Sequence, residues 1–244
     1  MAFDQPAPSA APIPVASLAG LGSLDATVTI TVDGTVDGKP TQGDLTAALT
    51  TNDEGRSKVE VTGSLLGDVV AQVGGSALNL FRPDRLSLYA VPEGTYAVLS
   101  SLLDMCVVPE DATTAGALDQ LSPQRLLTTL TSGDVARGTF LGDETLNGMA
   151  VKHYLIDGDT FLTAARASSD PDLSAFAASL RSVSDADLYV AADTGYPVAY
   201  RGGFSGTFEP LSFDGDLTVS AELTSVGANT PVTLPGACDH PISR

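Results

Sequence analysis

The chain has no tryptophan, and aromatic residues make up only 6% of its 244 positions. Its interior must therefore be filled mostly by Ala, Gly, Ser, Thr and aliphatic side chains. Basic residues are scarce as well: 12 Lys and Arg stand against 30 Asp and Glu, a formal net charge of −18. That balance excludes a nucleic-acid partner, whose phosphates require a basic surface. It also excludes adsorption to an anionic membrane by charge alone. Solubility, or life in salt, is the plain consequence of such acidity. No apolar run reaches about 18 residues, so no helical membrane span is expected. No basic stretch followed by an apolar one opens the chain as a signal peptide would.

Signatures of chemistry are equally thin. There are two cysteines, Cys106 and Cys238, and no C-x-x-C spacing, so neither zinc nor a thioredoxin-like redox pair is indicated. No G-x-S-x-G nucleophile elbow occurs; Gly203-Phe-Ser-Gly206 has the wrong spacing. Phosphate-cradling glycine motifs are missing. Asp157-Gly-Asp159 and Asp214-Gly-Asp216 lack the ligand offsets of a calcium loop, and Asp-Gly reads first as a turn. Of two histidines, His153 sits on an alternating strand, where a structural role is the simpler reading, and His240 lies in the C-terminal tail. No cofactor, no metal and no catalytic residue are expected.

What is present is strand after strand. Residues 1–16 form a Pro/Ala-rich tether, and residues 17–244 a single domain. From Asp25 the period is two: Ala26, Val28, Ile30 and Val32 face one way, Thr27, Thr29 and Thr31 the other. Asp33-Gly34 and Asp37-Gly38 read as turns. Strands are expected over 42–51, 57–62, 65–73, 76–82 and 85–91, as a meander of antiparallel neighbours. A hairpin follows, over 135–141 and 149–156, joined by a loop at 142–148. Strands resume at 186–192, 197–208 and 212–224. Two helices interrupt this pattern. Ser122-Pro123 opens one, carrying Leu126, Leu127 and Leu130 and ending near Gly133. Asp170-Pro171 opens the other, with Leu173, Phe176, Ala177 and Leu180 at i, i+3, i+4 and i+7. The fold class is α+β, mostly β.

Three segments carry a family resemblance: Gly148-Met-Ala-Val-Lys-His-Tyr154-Leu-Ile-Asp157, Ala186–Pro197 with its Asp-Thr-Gly turn, and Asp216–Cys238 with its proline-ruled tail. Together they resemble the LppX/LprG-like bacterial lipoproteins of the LolA/LolB-like half-barrel superfamily. The resemblance implies a strongly curved antiparallel sheet, a half-open barrel, with short helices covering its concave face. It implies a non-catalytic envelope lipoprotein that carries acyl lipids or glycolipids in an apolar cavity. Residues placed by helical spacing on its helical wall would be Leu126, Leu127, Leu130, Phe176 and Leu180. Phe140, Tyr154 and Leu188 would form the strand wall, on a face that a one-residue slip would reverse. The resemblance further implies residence outside the cytoplasm, on the outer face of the cytoplasmic membrane, through a lipidated N-terminal cysteine. The start of this chain has no such cysteine and reads as the inside of a tether whose leader and anchor have been removed. In an oxidising compartment Cys106 and Cys238 are expected to form a disulfide; two separate buried thiols are the alternative. A monomer is expected. Two other classes remain open: an envelope sensor or scaffold that binds a protein partner on the same fold, and a hydrolase built around His153.

Overall fold

The computed structural model describes residues 10–18, 21–68, 70, 83–108, 122–132, 135–208 and 212–243. In chain order the first strands are β1 (Ala11–Pro12), β2 (Leu24–Val36), β3 (Lys39–Thr51), β4 (Ser57–Thr62), β5 (Arg85–Val91), β6 (Gly94–Ser100) and β7 (Asp104–Val108). Helix α1 (Pro123–Leu130) precedes β8 (Arg137–Leu146) and β9 (Met149–Ile156), and helices α2 (Gly158–Arg166) and α3 (Pro171–Ser179) follow them. The chain closes with β10 (Leu180–Val183), β11 (Ala186–Ala191), β12 (Pro197–Phe208), β13 (Phe213–Val226) and β14 (Ile242–Ser243). The protein is thus mostly β, with few and short helices. Its described pairings are antiparallel, apart from β14 alongside β7.

Two compact units are present: Met1–Leu18, Asp33–Thr41 and Leu127–Ser220 form the first, and Ala19–Val32, Gln42–Leu126 and Ala221–Arg244 the second. The long strands β2, β3 and β13 run through both. In the first unit the strand order is β1-β8-β9-β11-β12, with β10 also on β12; in the second it is β3-β4-β5-β6-β7-β14. Neither order closes on itself.

The second unit buries both faces of its meander. On one side Ala47, Val61 and Leu99 pack with Leu66 and Val70. On the other, Tyr89, Val91, Val98 and Cys106 pack with Val232 and Cys238 of the tail. Cys106 and Cys238 are joined by a disulfide with their Cα atoms 5.1 Å apart. Just beyond it, Ile242 and Ser243 pair with Val107 and Val108.

Several expectations need correction. The segment 65–73 does not extend the meander: residues 66–68 and 70 are helical. The chain leaves the sheet at Gly63, whose φ is +131°, and Ser64 Oγ then donates to Asp44 Oδ1 at 2.7 Å. Leu66 and Val70, four apart, both reach the core as helical neighbours. The hairpin loop is only Asn147-Gly148, not seven residues; both residues have positive φ, as a tight primed turn requires, and β8 gains a bulge between Phe140 and Gly142. Asp33-Gly34 and Asp214-Gly215 are not turns but lie within β2 and β13. A Cβ at Gly34 would sit 2.3 Å from the Asp214 carbonyl oxygen, and one at Gly215 would sit 2.4 Å from that of Asp33. Here Asp-Gly serves close backbone approach. The strand expected at 76–82 and the helix end at Gly133 lie outside the described residues.

Candidate functional site

Strand register in the first unit builds an apolar row. Phe140 opposes Tyr154, Tyr154 opposes Leu188, and Leu188 opposes Tyr200. Directly opposed residues project from one face, so the row spans β8, β9, β11 and β12. Period two carries that face along β12 to Phe204 and Phe208. Leu180, at the start of β10, lies opposite Gly206 on the same strand.

Helices α2 and α3 cover this face. Helix α2 was not anticipated: Asp157-Gly158, read as a turn, is its start. The Asp157 side chain accepts from the Thr160 N–H at 2.8 Å, and Thr160 holds this carboxyl below its ordinary range through its side chain and then its backbone. Gly158 is buried, and a Cβ there would lie 2.1 Å from the Val183 carbonyl oxygen. Asp170 caps α3 by accepting from the N–H groups of Asp172 and Leu173, with Pro171 in the first turn. Arg166, at the end of α2, donates to the carbonyls of Ala177 and Leu180 and ties the two helices together.

Between helices and sheet the rings form a chain. Phe161 and Phe176 pack on Phe204 at 6.1 and 5.5 Å between centroids. Phe176 also reaches Phe208, which stacks on Phe213. Tyr200 lies stacked 6.5 Å from Phe204. Such pairs each contribute about 0.5–1.5 kcal/mol beyond their buried area. Few as they are, the aromatics concentrate here. Buried Leu173 and Ala177 complete the helical side.

The residues expected at the site are placed as follows. Phe176 is half-buried within the ring chain, and Leu180 and Leu188 are buried. Tyr154 is half-buried beside Phe140, 5.5 Å between ring centroids, and Phe140 itself is 51% exposed at the outer end of the row. Leu127 and Leu130 are buried in the first unit, whereas Leu126 is half-buried and belongs to the second. Sequence reading missed Phe161, Tyr200, Phe204, Phe208 and Phe213. For β12 the signal was available: Val198, Tyr200, Phe204 and Phe208 all fall on one parity of a strand whose limits were recognised.

His153 lies on the opposite face from the row, since it neighbours Tyr154 along β9. Its Nδ1 is 2.8 Å from Glu144 Oε1 and its Nε2 2.8 Å from Asp187 Oδ1. The ring stacks on Tyr189 with 4.3 Å between centroids. Burial, then the Asp187 and Glu144 carboxylates, push the Tyr189 phenol above its ordinary range. Both ring nitrogens thus face carboxylate oxygens from neighbouring strands. The cluster bridges β8, β9 and β11. His153→Ala is expected to destabilise the fold by about 2 kcal/mol, read from urea unfolding, and to leave any ester-hydrolysing activity of the preparation unchanged. Loss of such activity with the fold intact would identify His153 as catalytic. Among the described residues no group of three or more His, Cys, Asp or Glu is placed to hold a metal ion.

Comparison with solved structures returns neighbours of low sequence identity. A LolA superfamily protein from Nitrosomonas europaea is 8% identical, with a TM-score of 0.24, over 88% of this chain and 89% of that one. An outer membrane lipoprotein-sorting protein domain from Vibrio parahaemolyticus is 8% identical, with a TM-score of 0.23, over 87% and 88%. The MucA/MucB complex of Pseudomonas aeruginosa gives 13% identity and a TM-score of 0.29; the match covers 88% of this chain and 56% of that one, little more than half its length. No family model matches the sequence, and no curated protein does.

Proposed function

We propose that this protein is a non-catalytic carrier of acyl lipids or glycolipids in the cell envelope, which shelters acyl chains between the β12 face and helices α2 and α3. The observation that supports this reading is the layer of Phe161, Phe176, Tyr200, Phe204 and Phe208, built from rings and capped by two short helices held through Arg166. Transfer of acyl carbon from water contributes about 0.8 kcal/mol per CH₂, so binding needs no charged motif. That fits a sequence in which no catalytic signature is found. The disulfide suits an oxidising compartment, and attachment to the membrane through a lipidated N-terminal cysteine, as a monomer, belongs to the same proposal.

Mass spectrometry of an organic extract from purified protein tests the carriage. Lipid in stoichiometric amount is expected, reduced at least severalfold in Phe176→Lys protein that keeps its fold. Absence of lipid from both would count against carriage. A second reading, binding of a protein partner, is favoured by one observation: Phe140 and Leu141 stand half-exposed side by side on β8. A partner that dissociates on Phe140→Asp, from protein that takes up no lipid, would select it.

A further inference from the structure

Tyr200, in the first half of β12, is 0% exposed, and its hydroxyl oxygen has no hydrogen-bond partner among the described residues. A buried hydroxyl without a partner costs about 1–3 kcal/mol, and the great majority of buried polar side-chain atoms are satisfied. The surroundings make the exception sharper. The ring stacks on Phe204 and lies over Gly202, where an added Cβ would sit 2.8 Å from the hydroxyl and 2.9 Å from the Ala186 methyl. Glycine at 202 thus leaves the room that the phenol occupies. Phenylalanine would fill the same space without the cost. Burial pushes the phenol above its ordinary range, so the group is a neutral donor at any physiological pH.

We propose that the Tyr200 hydroxyl is the polar anchor of the apolar site, donating a hydrogen bond to the carbonyl oxygen of an acyl ester whose chain lies among Phe161, Phe176, Phe204 and Phe208. The class of ligand follows from the setting. A hydroxyl inside a layer of rings complements a single uncharged acceptor. A free carboxylate would bring its charge into that layer of rings at a high desolvation cost. An ester carbonyl meets the requirement and keeps any charged head group away from the rings. This inference rests on the carrier reading above and adds one atom-to-atom contact to it.

Tyr200→Phe separates the two. Delipidated wild-type and Tyr200→Phe proteins are loaded with a fluorescent hydrocarbon-tailed probe, then titrated with methyl dodecanoate or with pentadecane. Both proteins are expected to take up the probe and to release it equally to the alkane. The ester is expected to displace it about five- to tenfold less well from Tyr200→Phe, and the ligand-free variant is expected to melt no lower than wild type. Equal displacement by the ester from both proteins would overturn the role of Tyr200 and leave the carrier reading standing. A ligand-free variant that melts several degrees lower would overturn it too, by showing that the hydroxyl already has a structural partner. Failure of wild-type protein to take up the probe at all would overturn the carrier reading itself.

Discussion

Removal of the disulfide is expected to produce the largest loss of stability. Cys106 and Cys238 are 132 residues apart, and a cross-link across so long a loop restricts the unfolded chain by about 5 kcal/mol in the chain-entropy account. Native-state consequences add to this. The tail that ends at Cys238 delivers Val232 to the core face of Tyr89, Val91 and Val98, with Leu234 and Ala237 packed against it. Immediately afterwards it adds β14 to β7. Replacing both cysteines by serine is therefore expected to lower the unfolding free energy by about 3–5 kcal/mol, with hydrogen exchange quickening first along β7 and the tail. Urea unfolding checks the first effect. A loss below about 1 kcal/mol would mean that the tail is held by its packing alone.

Phe204→Ala is expected to cost about 3–5 kcal/mol. Phe204 is 3% exposed, and its ring touches Phe161 on α2, Phe176 on α3 and Tyr200 on its own strand. Truncation removes the ring that both helices contact, and it uncouples α2 and α3 from β12 together. Phe204→Leu keeps most of the volume and is expected to cost about 1–1.5 kcal/mol. A shifted urea midpoint with an unchanged slope is the signature of lost packing. If Phe204→Ala and Phe204→Leu unfold alike, the ring chain is not what holds the helices to the sheet.

Strand periodicity made most of the β architecture legible. Alternating Ala and Thr from Asp25, the limits of β9, β11 and β12, and the Asp170-Pro171 start of α3 all follow from local chemistry that tertiary structure leaves unchanged. The misses share a cause. Asp-Gly is a turn dipeptide only where nothing faces it: at Gly34 and Gly215 another backbone does, and at Gly158 the Val183 carbonyl does, so the same two letters serve a strand interior and a helix start. Residues 65–70 are two apolar pairs around Gly67-Asp68, too short for their period to tell strand from helix; the exit from the sheet at Gly63 decided it. At the candidate site, helical spacing placed Phe176 and Leu180 on one helix, but the helix ends at Ser179 and Leu180 opens β10; Leu188 was named on a strand whose parity was left open. Phe161 escaped because its helix was not recognised. Tyr200 escaped because an orphaned hydroxyl exists only in three dimensions: the sequence shows a tyrosine on a strand, and only the fold leaves its hydroxyl without a partner among the described residues. Conversely, His153 was correctly read as lying on a strand, yet its two carboxylate neighbours come from β8 and β11 and no spacing announces them.

The central claim is that the helix-covered ring layer of the first unit shelters an acyl chain. Titration of a fluorescent acyl probe into delipidated protein tests it most directly. The account predicts saturable uptake at one probe per chain, weakened at least tenfold by Phe176→Lys and unaffected by His153→Ala. No uptake by the folded wild-type protein, or uptake that ignores Phe176→Lys, would contradict it.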